Sequence, residues 1–552
     1  MARACILYCW FIVCFALSSS ARDVLEDDLY LVGTSIALSN APNSTTASFD
    51  PREATIASVQ HALFHQGVSC RTIVQSFLDR IEAYDKQGPY LNAVITTNPN
   101  ALTYADELDQ KLAESGFVPG ALHCVPTILK DNYDTFDMPT TGGSLSLKGA
   151  QPAVDASAVQ RIRAAGAVII AKANLHEFAI SGLTISSVLG QTKNPYDLTR
   201  TPGGSSGGTG ASVAASFAVM GTGTDTVNSI RSPTSANSLV GIRPTRGLVS
   251  RDGIVPLSYT QDAIGPLART VFDAATLLGV MAGYNPGDNV SALGVGQYQD
   301  YASYALQGAR NLSLFQGLRV GVVDILVNQT ESDPEVYQVN KVFNATLATL
   351  NQAGATILHV TDPTLDITHL SAVFDVQIYE FRTELDNYLQ NYNGTVPANS
   401  LDEIVSQNLY EKGDAYTGAF MRNATVPLNN ETNPEYFTRR SGIDGLRTQL
   451  ALRFAEQNLD VMFYPHQSRL VVPIGSPTQS GRNGLVAALT GLPAIGVPGG
   501  FSEPTDTAPI GVPVGVEFMG RPFTEARLVE IAAAFERLTR ARRAPLSTWE
   551  IV

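Results

Sequence analysis

Cysteine is almost missing from the working part of this chain. Of five cysteines in 552 residues, Cys5, Cys9 and Cys14 fall in the first apolar stretch, which leaves Cys70 and Cys124. That excludes a dense disulfide scaffold and leaves open either one bridge or two buried thiols. Histidine is equally sparse: His61, His65, His123, His176, His359, His369 and His466 are scattered with no metal-ligand spacing, so neither a zinc site nor another cofactor is expected. Positive charge is short too. With 37 Lys and Arg against 51 Asp and Glu the net charge is -14 and the pI about 5.0, and no basic stripe interleaves with aromatics. A phosphate backbone would be repelled, which excludes nucleic acid as a partner. Long apolar runs are also lacking. The one from Ala4 to Leu17 falls short of the roughly 20 residues that span a bilayer, so no stable membrane insertion is expected.

What is present begins with that same run. One arginine, the apolar stretch, then Ser19 and Ala21 read as a secretory signal over residues 1–21, followed by an extension over 22–50. Acceptors of the form Asn-x-Ser/Thr begin at Asn43, Asn289, Asn311, Asn328, Asn344, Asn393, Asn423 and Asn430, and most lie after residue 280. Together they predict a secreted, glycosylated protein.

Apolar residues are plentiful, at 44% against 16% charged, enough for a large buried core. HALFHQ and RTIVQSFLDRIEAYD repeat at helical spacing, LNAVITT reads as a strand, and ALTYADELDQKLAESG as a helix ended by glycine. VPTILKDNYD is a buried strand running into a loop. DASAVQRIRAAGAVIIAKAN passes from helix to strand, and LRVGVVDIL with YQVNKVFNATLATLNQAGATILHV repeats a β-α-β rhythm. No repeat or linker interrupts this, so the fold class is α/β, one large domain over 51–549. Between 370 and 440 the pattern turns helical and aromatic, with Phe374, Tyr379, Phe381, Tyr388, Tyr392, Tyr410, Tyr416 and Phe420. Most should pack a helical substrate-side segment, and some should line a pocket.

The stretch GGSSGGTG at 203–210 surrounds two serines with glycine, and Ser229 follows in GTDTVNSIRSP. A phosphate loop would need a lysine after the second glycine pair, and Thr209 stands there instead. A dinucleotide fingerprint lacks its third glycine. GGSSG matches the nucleophile elbow G-x-S-x-G, but QTKNPYDLTRTP before it is no hydrophobic strand. A serine activated without histidine remains. Lysine can act as the base if it is neutral, and burial supplies that by lowering its pKa about 3–5 units. Lys130, which closes the apolar run VPTIL, is the candidate; the ordinary alternative is a solvated strand end.

LHCVPTILKDNYD, TPGGSSGG, GTDTVNSIRSPTSANSLVGIRPTRGLVSRDGIVPLS and QDAIGPLART resemble the amidase signature family. The likeness resumes in LTGLPAIGVPGGF and PVGVEFMGRPFTEARLVEIAAAFERLTRARRAP, spans about 50 to 545, and is weakest between 280 and 460. It implies one α/β domain with a central mixed sheet and a serine–cis-serine–lysine triad that hydrolyses amides. Motif by motif, the nucleophile is Ser229, the bridging serine Ser205 and the base Lys130. It further implies oxyanion donors in the backbone of Thr226, Val227, Asn228 and Ser229, and an Asp225–Arg231 ion pair bracing that loop. The expected partner is then a small-molecule amide.

Two positions depart from the pattern. Val227-Asn228 replaces two glycines, and a β-branched valine resists positive φ, so a reshaped loop and a narrowed pocket are expected. Cys124 stands where glycine is usual. Two rivals to the amidase reading stay in view. One is an esterase using Ser205 with His359, His369 or His466 as base; the other is a catalytically silent glycoprotein that binds amide-like ligands.

Overall fold

The computed structural model describes residues 48–550, apart from 331, 427 and 429–432. The expected signal, nearly all of the 22–50 extension, and the acceptors Asn43 and Asn430 lie outside the described residues.

The two predicted N-terminal helices form as α1 (Ile56–His65) and α2 (Cys70–Tyr84). A capping box at Thr55 and Ser58 starts the first, and Ser69 caps the second by accepting from the Thr72 N–H. In α2, Ile73, Val74, Phe77 and Ile81 share the buried face. The first strand, β1 (Val94–Thr97), is followed by α3 (Ala101–Leu112).

The remaining strands of the main sheet are β2 (Pro126–Lys130), β3 (Val168–Ala173), β4 (Met220–Asp225), β5 (Val240–Arg243), β6 (Ala263–Ala268), β7 (Arg319–Val323), β8 (Thr356–Val360), β9 (Val461–Pro465), β10 (Ala494–Phe501) and β11 (Pro513–Met519). They form one eleven-stranded sheet in the order β1-β3-β2-β4-β6-β5-β10-β11-β9-β7-β8. Parallel pairing joins β2 to β3 and β4, and joins β7 to β8 and β9, while antiparallel pairs fill the centre. The parallel β2/β3 pair is the one whose crossover carries α4 (Ser157–Ala164), and the helix Pro334–Gln352 crosses between β7 and β8, as the β-α-β rhythm requires. Strands covered on both faces read as continuous apolar runs, and every residue of β2 and β11 is buried.

Helices cover the sheet on both faces: α5 (Gly207–Ala214), α6 (Arg231–Ala236), α7 (Val271–Met281), α8 (Tyr301–Arg310) and α9 (Pro334–Gln352) precede the helical segment. That segment comprises α10 (Ile367–Phe374), α11 (Gln377–Gln390), α12 (Leu401–Gln407), α13 (Ala415–Asn423) and α14 (Pro434–Glu456). The chain closes with α15 (Leu485–Thr490) and α16 (Glu525–Thr539). Phe381, Tyr410 and Phe420 join Leu385 and Leu389 in a core of their own, packed on Phe178, Ala179 and Val255. Tyr379 stacks on Tyr436 at 6.0 Å and Phe374 packs at the edge of a neighbouring cluster, so most of the aromatics are structural.

Cys70 and Cys124 are bonded, with Cα atoms 5.5 Å apart, which decides between the two cysteine readings. Cys124 has φ 64°, the left-handed region where glycine is usual. Of the acceptors, Asn289, Asn311, Asn344, Asn393 and Asn423 are exposed, and Asn328 is half-buried.

Candidate active site

Lys130 ends β2 inside the protein with no exposed surface, not at a solvated strand end. Its Nζ lies 2.7 Å from Ser205 Oγ and 2.7 Å from Thr224 Oγ1. Asn132 Nδ2, which can only donate, also reaches Thr224 Oγ1 at 3.2 Å. Burial pulls the Lys130 ammonium down to about 7, against the opposing pull of the Asp225 and Asp262 carboxylates.

The glycines around Ser205 are explained by close approach. A Cβ on Gly204 would sit 2.6 Å from Thr184 Oγ1 and 2.8 Å from the Gly182 carbonyl carbon. On Gly207 it would meet Thr184 Oγ1 at 2.2 Å, and on Gly208 the Asn174 carbonyl at 2.2 Å. Any side chain there would push the serine loop off its neighbours. The Gly204–Ser205 peptide is cis, and the Ser205 carbonyl accepts from the His176 N–H at 3.0 Å. Residues 192–206 contain no strand, so the context of an elbow serine is lacking.

Ser229 follows β4 in sequence, and its carbonyl accepts from the Ser206 N–H at 3.2 Å, which sets the two serine segments side by side. Ser229 is 5% exposed and lines a cavity of about 260 Å³ with Thr226, Val227, Asn228, Tyr416 and Arg482.

The loop from Thr226 to Ser229 has its carbonyls taken from behind. Gln261 Nε2 donates to Thr226 O at 3.3 Å, Arg231 to Val227 O at 2.7 Å, and the Ser232 N–H to Asn228 O at 2.7 Å. Among the described residues the N–H groups of Val227, Asn228 and Ser229 have no such acceptor. Main-chain donors without an internal partner beside a serine can stabilise an oxyanion. Neither Val227 nor Asn228 has positive φ, so the strain expected of valine there does not arise.

The expected Asp225–Arg231 pair is real and larger than expected. Arg231 Nε donates to Asp225 Oδ2 at 3.0 Å, Arg243 Nη1 to Asp225 Oδ1 at 2.8 Å, and Arg231 Nη1 to Glu517 Oε1 at 2.5 Å, all four side chains being buried. Tyr464 and His466 complete it, donating to Glu517 Oε1 at 2.6 Å and pairing with Oε2 at 2.7 Å. Burial alone would raise the Asp225 carboxyl, but the two guanidiniums hold it well below the usual carboxylate range. Thr226 Oγ1 is tied to Asp262 at 2.6 Å, so the loop is fixed from both ends.

Among the described residues none of the histidines weighed as bases hydrogen-bonds to Ser205, whose Oγ meets Lys130. His466 Nδ1 is occupied by Glu517, and exposed His359 pairs with Asp324 at 2.7 Å; His369 packs edge-on against Phe374. The buried partners Arg243 and Glu517 escaped sequence reasoning. A lone charge inside the apolar runs VGIR and PVGVEFM was the available signal, since a buried charge must be paired. Tyr388 and Tyr392 line a second cavity, of about 430 Å³, which shares Thr226 and Ala179 with the first. Among the described residues no cluster of His, Cys, Asp and Glu could hold a metal ion, and no helix is long and apolar enough to cross a membrane.

The family described as Amidase matches residues 72–529. The chain is 33% identical over 523 residues to a probable amidase of Arabidopsis thaliana, covering 91% of this chain and 93% of that one. It is 34% identical over 493 residues to a subunit of the glutamyl-tRNA(Gln) amidotransferase of Carboxydothermus hydrogenoformans, covering 86% and 95%. The native peptide amidase of Stenotrophomonas maltophilia superposes with a TM-score of 0.79 at 33% identity, over 90% of this chain and 98% of that one.

Proposed function

The chain belongs to the amidase family and is an enzyme of amide carbon–nitrogen bonds, and on that premise we propose that it is a secreted hydrolase of small carboxamides acting through a Ser229 acyl-enzyme. The observation that carries the reading is the buried Lys130 amine, 2.7 Å from Ser205 Oγ. A neutral amine has one lone pair and two N–H groups. With Thr224 Oγ1 as acceptor for one N–H, the lone pair is free to take the Ser205 proton.

In this mechanism Ser205 passes its proton to Lys130 while accepting that of Ser229, and Ser229 Oγ attacks the amide carbon. The oxyanion is met by main-chain N–H groups of the 226–229 loop, each donor of this kind contributing about 3–4 kcal/mol. The relay then runs back, Lys130 returning its proton through Ser205 to the leaving nitrogen as the C–N bond breaks. Water attacks the ester by the same route and releases the acid.

Secretion is supported by the short apolar N-terminus, the exposed glycan acceptors and the Cys70–Cys124 bridge, which suits an oxidising compartment. The tRNA-linked amidotransferase role belongs to a relative, and an exported chain would not meet its substrate. The test is labelling with a fluorophosphonate followed by peptide mapping. The label should sit on Ser229 and be absent from Ser229→Ala; label on Ser205 would restore the esterase reading, and no label at all the silent one.

A further inference from the structure

Arg482 lines the cavity beside Ser229 and is the cation there whose charge the protein leaves unanswered. Other buried arginines have their charge met more closely: Arg231 and Arg243 by carboxylates, and Arg269, which lacks a carboxylate, by the carbonyls of Val213, Ala218 and Ala54. For Arg482 the hydrogen bond found is to a neutral acceptor, Asn228 Oδ1 at 3.1 Å, and among the described residues no carboxylate lies within 4.0 Å. Arg482 is half-buried and lines that cavity. Burial lowers its pKa to about 10, which still leaves it charged at neutral pH.

The other charged group on this cavity, Asp375, differs. Its carboxylate accepts the Gln377 N–H at 3.1 Å and Gln377 Nε2 at 2.9 and 2.7 Å, so it is already solvated by the protein. The unsatisfied pole is therefore the cation. Because a guanidinium can only donate, the atom of Asn228 facing it is the oxygen, which leaves Asn228 Nδ2 buried without a partner on the same wall. Both groups offer donors on the cavity that Ser229 also lines, and a planar fork of N–H donors fits a carboxylate in bidentate fashion.

We propose that Arg482 reads an anionic group of the substrate, so that the preferred substrates are amides carrying a carboxylate a few bonds from the scissile carbonyl. This rests on the amide-hydrolase reading of Ser229 and adds a substrate class to it.

The experiment compares succinamate with the neutral succinamide. For the natural chain, kcat/KM should favour succinamate by about tenfold or more, chiefly through KM. In Arg482→Gln that ratio should fall by about 10- to 100-fold, whatever the absolute rates, and Arg482→Lys should restore part of it. Asn228→Ala separates the neutral donor from the charge: it removes Asn228 Nδ2 and keeps the cation, so it should lower the ratio by less than Arg482→Gln does. Calorimetry on Ser229→Ala protein reads the same preference as binding, without turnover. No preference in the natural chain, or equal losses for both amides in Arg482→Gln, would overturn the proposal. A binding preference without hydrolysis of either amide would sink the hydrolase reading alone.

Discussion

At the residue scale the proposed mechanism asks how an ordinary lysine could serve as a base at neutral pH. Unperturbed, about one lysine in 10³ is neutral at pH 7, a cost of roughly 4.6 kcal/mol. Burial removes most of that here, because the folded protein disfavours the charged form and lowers the pKa to about 7. The sign follows directly: below that value Lys130 is protonated and cannot accept, so kcat/KM on a neutral amide should fall about tenfold per pH unit on the acid side and level off above. A pH–rate profile from 5 to 9 checks this, and a flat profile would remove Lys130 from the mechanism. Lys130→Met should lower kcat by orders of magnitude, and combining it with Ser205→Ala should cost little more, since the groups act as a unit.

At the scale of elements, the serine loop is held by contacts that leave no room for a Cβ. Gly207→Ala would drive a methyl to 2.2 Å from Thr184 Oγ1 and 2.7 Å from Pro202 Cγ. The expected cost is about 1–3 kcal/mol of stability together with loss of activity, read by denaturant unfolding and amide turnover. The Cys70–Cys124 bridge is a separate device. It ties the first turn of α2 to the loop leading into β2, across 54 residues of chain. Closing a loop of that length is worth about 4 kcal/mol in the chain-entropy account. Cys70→Ala/Cys124→Ala should therefore unfold at lower denaturant while its kcat is retained, because neither sulfur touches the Lys130–Ser205 pair. A matching loss of kcat in folded protein would show that β2 depends on the bridge for its position.

At the scale of the whole molecule, a surface that carries glycans has to keep its acceptors outside the core. Asn289, Asn311, Asn344, Asn393 and Asn423 are exposed, whereas Asn328 is half-buried. Intact mass of the protein recovered from the medium of a eukaryotic host, before and after a glycosidase, should show cleavage near Ala21 and a drop on deglycosylation. A chain that retains Met1 and does not shift would end the secreted reading. The sheet itself was legible in outline. The helical periodicity that marks α2, the continuous apolar run that marks β2 and the strand–helix–strand rhythm of the β7–α9–β8 unit are local properties, and the structure reproduces those elements. The order of eleven strands was not legible, because β5 lies beside β10 and β4 beside β6 through pairings between distant segments that no window of sequence contains.

The sequence by itself determined which residues could do chemistry. The glycine cage, the lysine closing an apolar strand and the serine after GTDTVN stand in ordered motifs, and their spacing restricts what each can be. Only the tertiary structure decided their state. The Lys130 ammonium is pushed down to about 7 because the surrounding chain excludes water from it, and Ser205 reaches it from 75 positions away. Asp225 stays ionised because Arg243 and Arg231 converge on it, and Arg231 in turn meets Glu517 from 286 positions away. Whether Arg482 has a carboxylate partner likewise depended on what folds around it. Charge, burial and unpaired donors are properties of an assembled environment, and a sequence specifies them only through the fold that it produces.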